Sequence, residues 1–211
     1  MTDRGGAPVR SRPETAPVAA VILAAGASTR MGRTKQLLPV EGVPMVRRAA
    51  MQALEAGCFP VIVVLGHDEA RVRAVLDDLD VTFVRSPDPT GPTSASLHAG
   101  LRALGPAIAA AVVLLADMVH VSADMVRALL EAHARGAAPL EVSRYGDVLA
   151  PPLLFRRTLW PELLAWHGEG CGKAVVRAHR DVAGMHDWPA AVLQDVDTPD
   201  DYAALGGDAT A

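Results

Sequence analysis

The sequence predicts an α/β protein, a three-layer α/β/α sandwich around a mostly parallel sheet. Three observations carry this. Continuous apolar runs stand at 18–24 (VAAVILA), 61–65 (VIVVL), 81–84 (VTFV) and 110–116 (AAVVLLA). Runs without polar alternation read as strands covered on both faces. Between them, residues 44–57, 68–79 and 94–105 place apolar side chains at helical spacing. Strand alternating with helix implies right-handed crossovers and parallel pairing.

The opening residues 1–17 hold arginines at 4, 10 and 12 and no apolar core segment, so they read as a disordered extension rather than a secretory signal. The folded domain is expected to cover 18–205, with a flexible tail at 206–211. The helix over 44–57 closes on Gly57 and that over 94–105 on Gly105, as helices commonly do. Beyond about residue 138 the stretch PLEVSRYGDVLAPPLLF predicts a hairpin or a strand with an excursion, followed by helices near 157–165 and 172–180. In DVDTPDDYAAL, Thr198 suits an N-cap, Pro199 the first helical position, and Asp200 and Asp201 the positive helix end.

Composition narrows the function. The 211 residues carry 20 Lys and Arg against 24 Asp and Glu, a formal charge of -4. No global positive field recruits nucleic acid, so any phosphate ligand must be held by a few local groups, which favours a small-molecule site. Cys58 and Cys171 form neither a disulfide framework nor a zinc spacing and suit a reducing cytoplasm. No apolar run reaches the roughly 18 to 20 residues needed to span a bilayer. The seven histidines show no metal-binding spacing.

In a parallel sheet ligands collect at the carboxyl ends of the strands, and the loops after the first, third and fourth apolar runs are the ones to search. After the first run comes LAAGASTRMGRTKQLLP, where Gly26 and Gly32 let the backbone approach a ligand and Arg30 and Lys35 supply charge for a polyphosphate. The loop has neither Walker A nor dinucleotide spacing, and alone it can also be read as a turn with a solvated surface. Asp117 ends the fourth run, where it is either a turn former or a ligand for a hard cation. Asp195 and Asp197, two apart, share one face if that piece is extended, although Asp197 equally fits the helix start that follows. Thr93, Ser94 and Ser96 begin a helix, where hydroxyls cap, bind phosphate or read a base edge.

Taken with GVPMVRRAAMQALEAG, SPDPTGPTSASLHAGL, VVLLADMVHV, PPLLFRR and DVDTPDDYAAL, this loop resembles the nucleotidyltransferases of the molybdenum-cofactor group over nearly all of 18–205. Ala25, LLADM and DVDTPDDY look most like the molybdenum cofactor cytidylyltransferase branch. The resemblance implies a nucleotide-diphospho-sugar transferase-like fold. It implies a nucleotide site of Leu23, Ala24, Ala25, Gly26, Arg30, Lys35, Ser86, Thr93, Ser94 and Ser96, with Arg30, Lys35 and Asp117 catalytic. It further implies Mg2+ on Asp117 and Asp197, and an acceptor site drawing on Pro152, Lys173 and Asp195. The implied reaction takes CMP from CTP to the terminal phosphate of molybdopterin, in a cytoplasmic monomer or weak oligomer serving a molybdenum hydroxylase, with no nucleic acid or membrane involved.

The chain departs from that pattern in places. It reads Ser86-Pro87 for Asn-Pro, Val119 for Pro, Ala150-Pro151-Pro152 for Gly-His-Pro, and Lys173 for Arg in GEGCGKAV. These changes leave open GTP, another phosphorylated acceptor such as a sugar or polyol phosphate, and a non-catalytic carrier of cofactor.

Overall fold

The first apolar run forms the hinge of the architecture. In a computed structural model that describes residues 17–26, 31, 34–136, 138–196 and 198–206, it is strand β1 (Val18–Ala24). On one side β1 pairs in parallel with β4 (Val61–Leu65), Ile22 opposite Val63; on the other it pairs with β6 (Ala110–Leu115), Ile22 opposite Leu114. β5 (Thr82–Arg85) extends the parallel set beyond β4. Past β6 the direction reverses: β8 (Val148–Arg156) runs antiparallel to β6 and forms a hairpin with β7 (Leu140–Tyr145), while β9 (Gly184–Trp188) lies parallel to β7 at the edge. The seven strands thus run β5-β4-β1-β6-β8-β7-β9. A two-stranded ribbon, β2 (Pro39–Val40) with β3 (Val43–Pro44), stands apart.

Helices cover both faces, which is why the central strands need no polar alternation. Ala20, Ile22, Val63 and Val112 point into a layer formed by α1 (Met45–Ala56), α2 (Glu69–Ala74) and α4 (Ala123–Arg135), through Val46, Ala50, Val72 and Leu129. Ala19, Val21, Val64 and Val113 point the other way, against Leu97 and Leu101 of α3 (Thr93–Arg102), Leu163 of α5 (Trp160–Ala165) and Val175 of α6 (Cys171–Ala178). α1 ends where expected, on Gly57 at φ 95°. A third cluster joins Met31, Leu38, Val40, Met45 and Val119 to Val196 and to Tyr202 of α7 (Pro199–Ala204). The Tyr202 hydroxyl donates to the Pro39 carbonyl at 2.7 Å.

Several elements differ from expectation. α2 stops at Ala74 rather than continuing to 79. Asp77, Asp78 and Asp80 would crowd the negative end of that helix, and Asp78 instead meets Arg47 of α1 in a two-pronged pair at 2.5 and 2.8 Å. α3 ends at Arg102, ahead of Gly105. β9 was not anticipated, because GMHDW contains no apolar run. The α7 start is a full capping box: Thr198 Oγ1 accepts from the Asp201 amide, and the Asp201 carboxylate accepts from the Thr198 amide at 2.7 Å. The proposed extension at 1–17, except Pro17, and the tail, except Gly206, lie outside the described residues.

Candidate functional site

The parallel strands deliver their loops to one edge, and the chemistry gathers there. β1 ends at Ala24, so Ala25 and Gly26 leave the sheet beside Ala116 and Asp117, which follow β6; the Ala116 amide still donates to the Leu23 carbonyl at 3.3 Å. After the glycine loop the chain re-enters at Thr34 and forms a single 3-10 turn, Lys35–Leu37. That turn aims Lys35 back across the gap, where its ammonium donates to Asp117 Oδ2 at 2.5 Å. The two side chains are 13% and 17% exposed. They are therefore shielded enough to interact more strongly than a surface pair yet open enough to reach a ligand.

Leu23, Ala25, Gly26, Lys35, Gln36, Pro89, Gly91, Thr93, Ser96, Leu115, Ala116 and Asp117 line a cavity of about 240 Å³. Gln36 holds its inner wall, with Nε2 donating to the Gly26 carbonyl at 2.9 Å. Arg48 of α1 fixes the segment after Asp117 by donating to the Val119 carbonyl at 2.9 Å. Gly66, just past β4, touches the back of the first loop so closely that a Cβ there would collide with the Ala25 backbone. The loop after β4, the second apolar run, absent from the sequence expectation, is thus a structural support of the site. A larger cavity of about 560 Å³, lined by His67, Asp68, Arg73 and Arg85 among others, shares Pro89 with the first.

Of the nucleotide-site candidates, Leu23, Ala25, Gly26, Lys35, Thr93 and Ser96 line this cavity, and Ala24 faces the core on the α1 side. Ser86 stands one step behind, hydroxyl to hydroxyl with Ser96 at 3.0 Å. Thr93 and Ser94 are engaged by the α5–α6 connection. The Glu169 carboxylate accepts from the Thr93 amide and hydroxyl at 3.2 and 2.9 Å, and Ser94 Oγ accepts from the Gly168 amide. Arg30 and Asp197 lie outside the described residues.

The acceptor candidates divide. Asp195 is drawn to the site by an antiparallel bridge to Met118, next to Asp117. Its charge is felt by Tyr145, whose hydroxyl donates to the Pro151 carbonyl at 2.7 Å, beside Pro152. Burial, with the Asp195 charge adding to it, pushes the Tyr145 phenol well above its ordinary range and keeps it a donor. Lys173 lines a different cavity, on the α6 side of the sheet. Gln36, Gly66, Tyr145 and Glu169 are the site residues that sequence reasoning missed. A buried Gln beside Lys35 was the one local signal; the others act through contacts between distant loops.

Asp117 suits a hard divalent cation: magnesium is typically held by one or two carboxylates plus substrate phosphates. Among the described residues no three His, Cys, Asp or Glu gather into a cage.

Comparisons with known proteins agree with this geometry. Residues 20–182 match the model of the MobA-like NTP transferase domain. The bifunctional protein GlmU of Anaeromyxobacter sp. (strain Fw109-5) is 32% identical over 195 residues, 90% of this chain but 34% of that protein. The chain spans between 18% and 34% of the length of the GlmU relatives it matches. The crystal structure of Rv0371c from Mycobacterium tuberculosis H37Rv, 31% identical, superposes with a TM-score of 0.81 over 90% of this chain and 98% of that one. A complex of Rv0371c with manganese, also 31% identical, gives 0.74 with the same coverage.

Proposed function

Because the chain belongs to the MobA-like NTP transferase family, a family of nucleotidyltransferases, we propose that it transfers CMP from CTP to the terminal phosphate of a molybdopterin-type acceptor. The observation that carries the reading is the convergence of Lys35 and Asp117, 82 residues apart in the chain, on one cavity at the strand edge. The acceptor phosphate oxygen forms a bond to the α-phosphorus as the bond to the β-phosphate oxygen breaks, and pyrophosphate leaves with that electron pair. A phosphate monoester loses its second proton at about pH 6, so the nucleophile is already charged and needs no strong base.

The obstacle is the approach of two anions. Lys35 is placed to exchange its contact with Asp117 for phosphate oxygens, and the backbone at Ala25 and Gly26 admits the triphosphate closely. Asp117, with Asp197 as the second proposed ligand, would hold a divalent cation, Mg2+, which supplies charge neutralisation along the polyphosphate. Arg30 is proposed as a further phosphate cation, and Ser86, Thr93, Ser94 and Ser96 as the wall against the nucleoside. On the acceptor side, Pro152, Lys173 and Asp195 are the proposed contacts, with Asp195 bridged to Met118 next to Asp117.

Pyrophosphate release measured with CTP, GTP, ATP and UTP, magnesium and molybdopterin tests the reading directly. Release with CTP alone is expected, and Asp117→Asn should lower kcat by roughly a hundredfold or more. An Asp117→Asn protein that keeps near-normal turnover at saturating magnesium would sink the assignment. The Ala25 methyl narrows the space beside the strand end, so Ala25→Gly is expected to shift preference from CTP toward GTP; an unmoved ratio removes Ala25 from base selection.

A second reading rests on Ala150-Pro151-Pro152, which replaces the Gly-His-Pro of the cytidylyl branch. With that histidine absent, another phosphorylated acceptor, such as a sugar or polyol phosphate, enters the same assay as the competing substrate. If no acceptor turns over while CTP still raises the melting temperature, the chain is a carrier.

A further inference from the structure

Pro89, Gly91, Thr93 and Ser96 form one wall of the Lys35–Asp117 cavity, and on that wall the hydrogen-bond donors are engaged elsewhere. Pro89 has no amide proton. The Gly91 amide donates to the Asp88 carbonyl at 3.4 Å. At Thr93 both donors turn away from the cavity, because its amide and hydroxyl meet the Glu169 carboxylate at 3.2 and 2.9 Å. A carboxylate only accepts, so the Thr93 hydroxyl proton points to Glu169 and a ligand meets the lone pairs of the oxygen. Ser96, one turn on, is joined to the Ser86 hydroxyl at 3.0 Å, a pair that can turn either way. Of the two lining hydroxyls on this wall, Thr93 is thus the one with a fixed sense.

Glu169 reaches Thr93 from 76 residues away in the chain and is aimed by its own surroundings. It stands between Gly168 at φ 108° and Gly170 at φ 72°, left-handed turns that glycine makes freely. Its carbonyl accepts from the Trp166 indole at 3.1 Å, and the Gly168 amide beside it donates to Ser94 Oγ at 3.3 Å. The first turn of α3 contains no acid of its own, so Glu169 supplies the anion that the positive end of that helix favours. A phosphate brought to the same place would meet a like charge. The polyphosphate is left to Lys35 and the glycine loop, and the α3 wall to the nucleoside.

We propose that Glu169 is a positioning residue for base choice: it makes Thr93 a fixed acceptor, which takes a hydrogen bond from the 4-amino group of cytosine and repels the 4-keto oxygen of uracil. The inference rests on the transferase reading and deepens it, since Ala25 bears on cytosine against guanine whereas Thr93 separates the two pyrimidines. Thr93 and Glu169 are both exposed, so the discrimination develops as a bound base shuts water out of the contact and an unmatched polar group loses its compensation.

Calorimetric titration with CTP and with UTP, in magnesium and without acceptor, reads the preference independently of turnover. The native chain is expected to bind CTP roughly tenfold or more tightly than UTP. In Glu169→Gln the side-chain carbonyl keeps the Thr93 amide while its NH2 group donates to Thr93 Oγ1, which frees the hydroxyl proton to turn toward the base. UTP should then bind about tenfold more tightly than it does to the native chain, and CTP more weakly. A carboxylate that merely braced α3 would weaken both nucleotides together on replacement. Thr93→Val removes the acceptor, so CTP should weaken about tenfold with UTP unmoved. A native preference for CTP that neither Glu169→Gln nor Thr93→Val alters overturns the inference and leaves the transferase reading intact. Failure of both nucleotides to bind the native chain would sink the transferase reading, and this inference with it.

Discussion

Lys35 and Asp117 show what a single residue position can reveal in advance. Each is placed by its neighbours: Asp117 by a buried strand that must end at the ligand edge, Lys35 by the turn that closes the glycine loop. That much was legible, because strand ends and glycine loops are local features. Gly66 was not, since its role arises only from the backbone of Ala25 lying against it. Gly66→Ala has to displace Ala25 and, with it, the wall of the cavity. The expected result is a loss of about ten- to a hundredfold in kcat/KM with the global melt little changed, read by steady-state pyrophosphate release alongside calorimetry. Unaltered kinetics would mean that the Ala25 turn does not position substrate. Glu169, likewise invisible in sequence, spends its carboxylate on a helix start 76 residues away.

Elements repeat the lesson with different physics. The strands Val18–Ala24 and Val61–Leu65 coincide with their apolar runs because helices cover both faces and every position is under the same constraint. β9, polar and at the edge, has no such constraint and left no trace. α2 was read too long because periodicity continued while charge did not: three aspartates followed the helix, and one had a partner on α1. The α4–β8 contact carries a pH dependence. His133 on α4 is held below its ordinary value, chiefly by burial and further by the nearby Arg156, with Glu141 opposing. The fold therefore prefers the neutral imidazole, the unfolded chain takes up the proton first, and stability falls as pH drops below about 6.5 and through the folded value. Melting temperatures from pH 7.5 to 5 should decline less steeply for His133→Gln than for the native chain. Parallel curves would show that burial of this ring is not felt in the fold.

At the scale of the whole molecule, the sheet divides the labour. Its parallel half carries the Lys35–Asp117 cavity, while in its antiparallel half the Tyr145 hydroxyl donates to the Pro151 carbonyl and, beyond it, Asp195 bridges to Met118 beside Asp117. What joins the two is the third cluster, in which Tyr202 packs on Leu38, Val40 and Met45. Tyr202→Ala should cost about 3 kcal/mol, concentrated there. Hydrogen exchange is expected to accelerate at 35–45 while the amides of β1, β4 and β6 keep their protection. Uniform acceleration across the sheet would instead make α7 part of one cooperative unit. No helix among the described residues is long and apolar enough to cross a membrane.

The bond from Tyr202 to Pro39 spans 163 residues, and this bears on how the protein is made. A ribosome adds about 5 to 20 residues each second, so the nascent chain waits roughly ten to thirty seconds between synthesising Pro39 and the tyrosine that secures it. During that interval β1, β4 and β6 can already pair and Lys35 can reach Asp117, while the β2–β3 ribbon still lacks its contact with α7. The third cluster thus closes as one of the last events of synthesis, and a polypeptide interrupted before α7 would be a folded sheet whose β2–β3 ribbon is held from one side only.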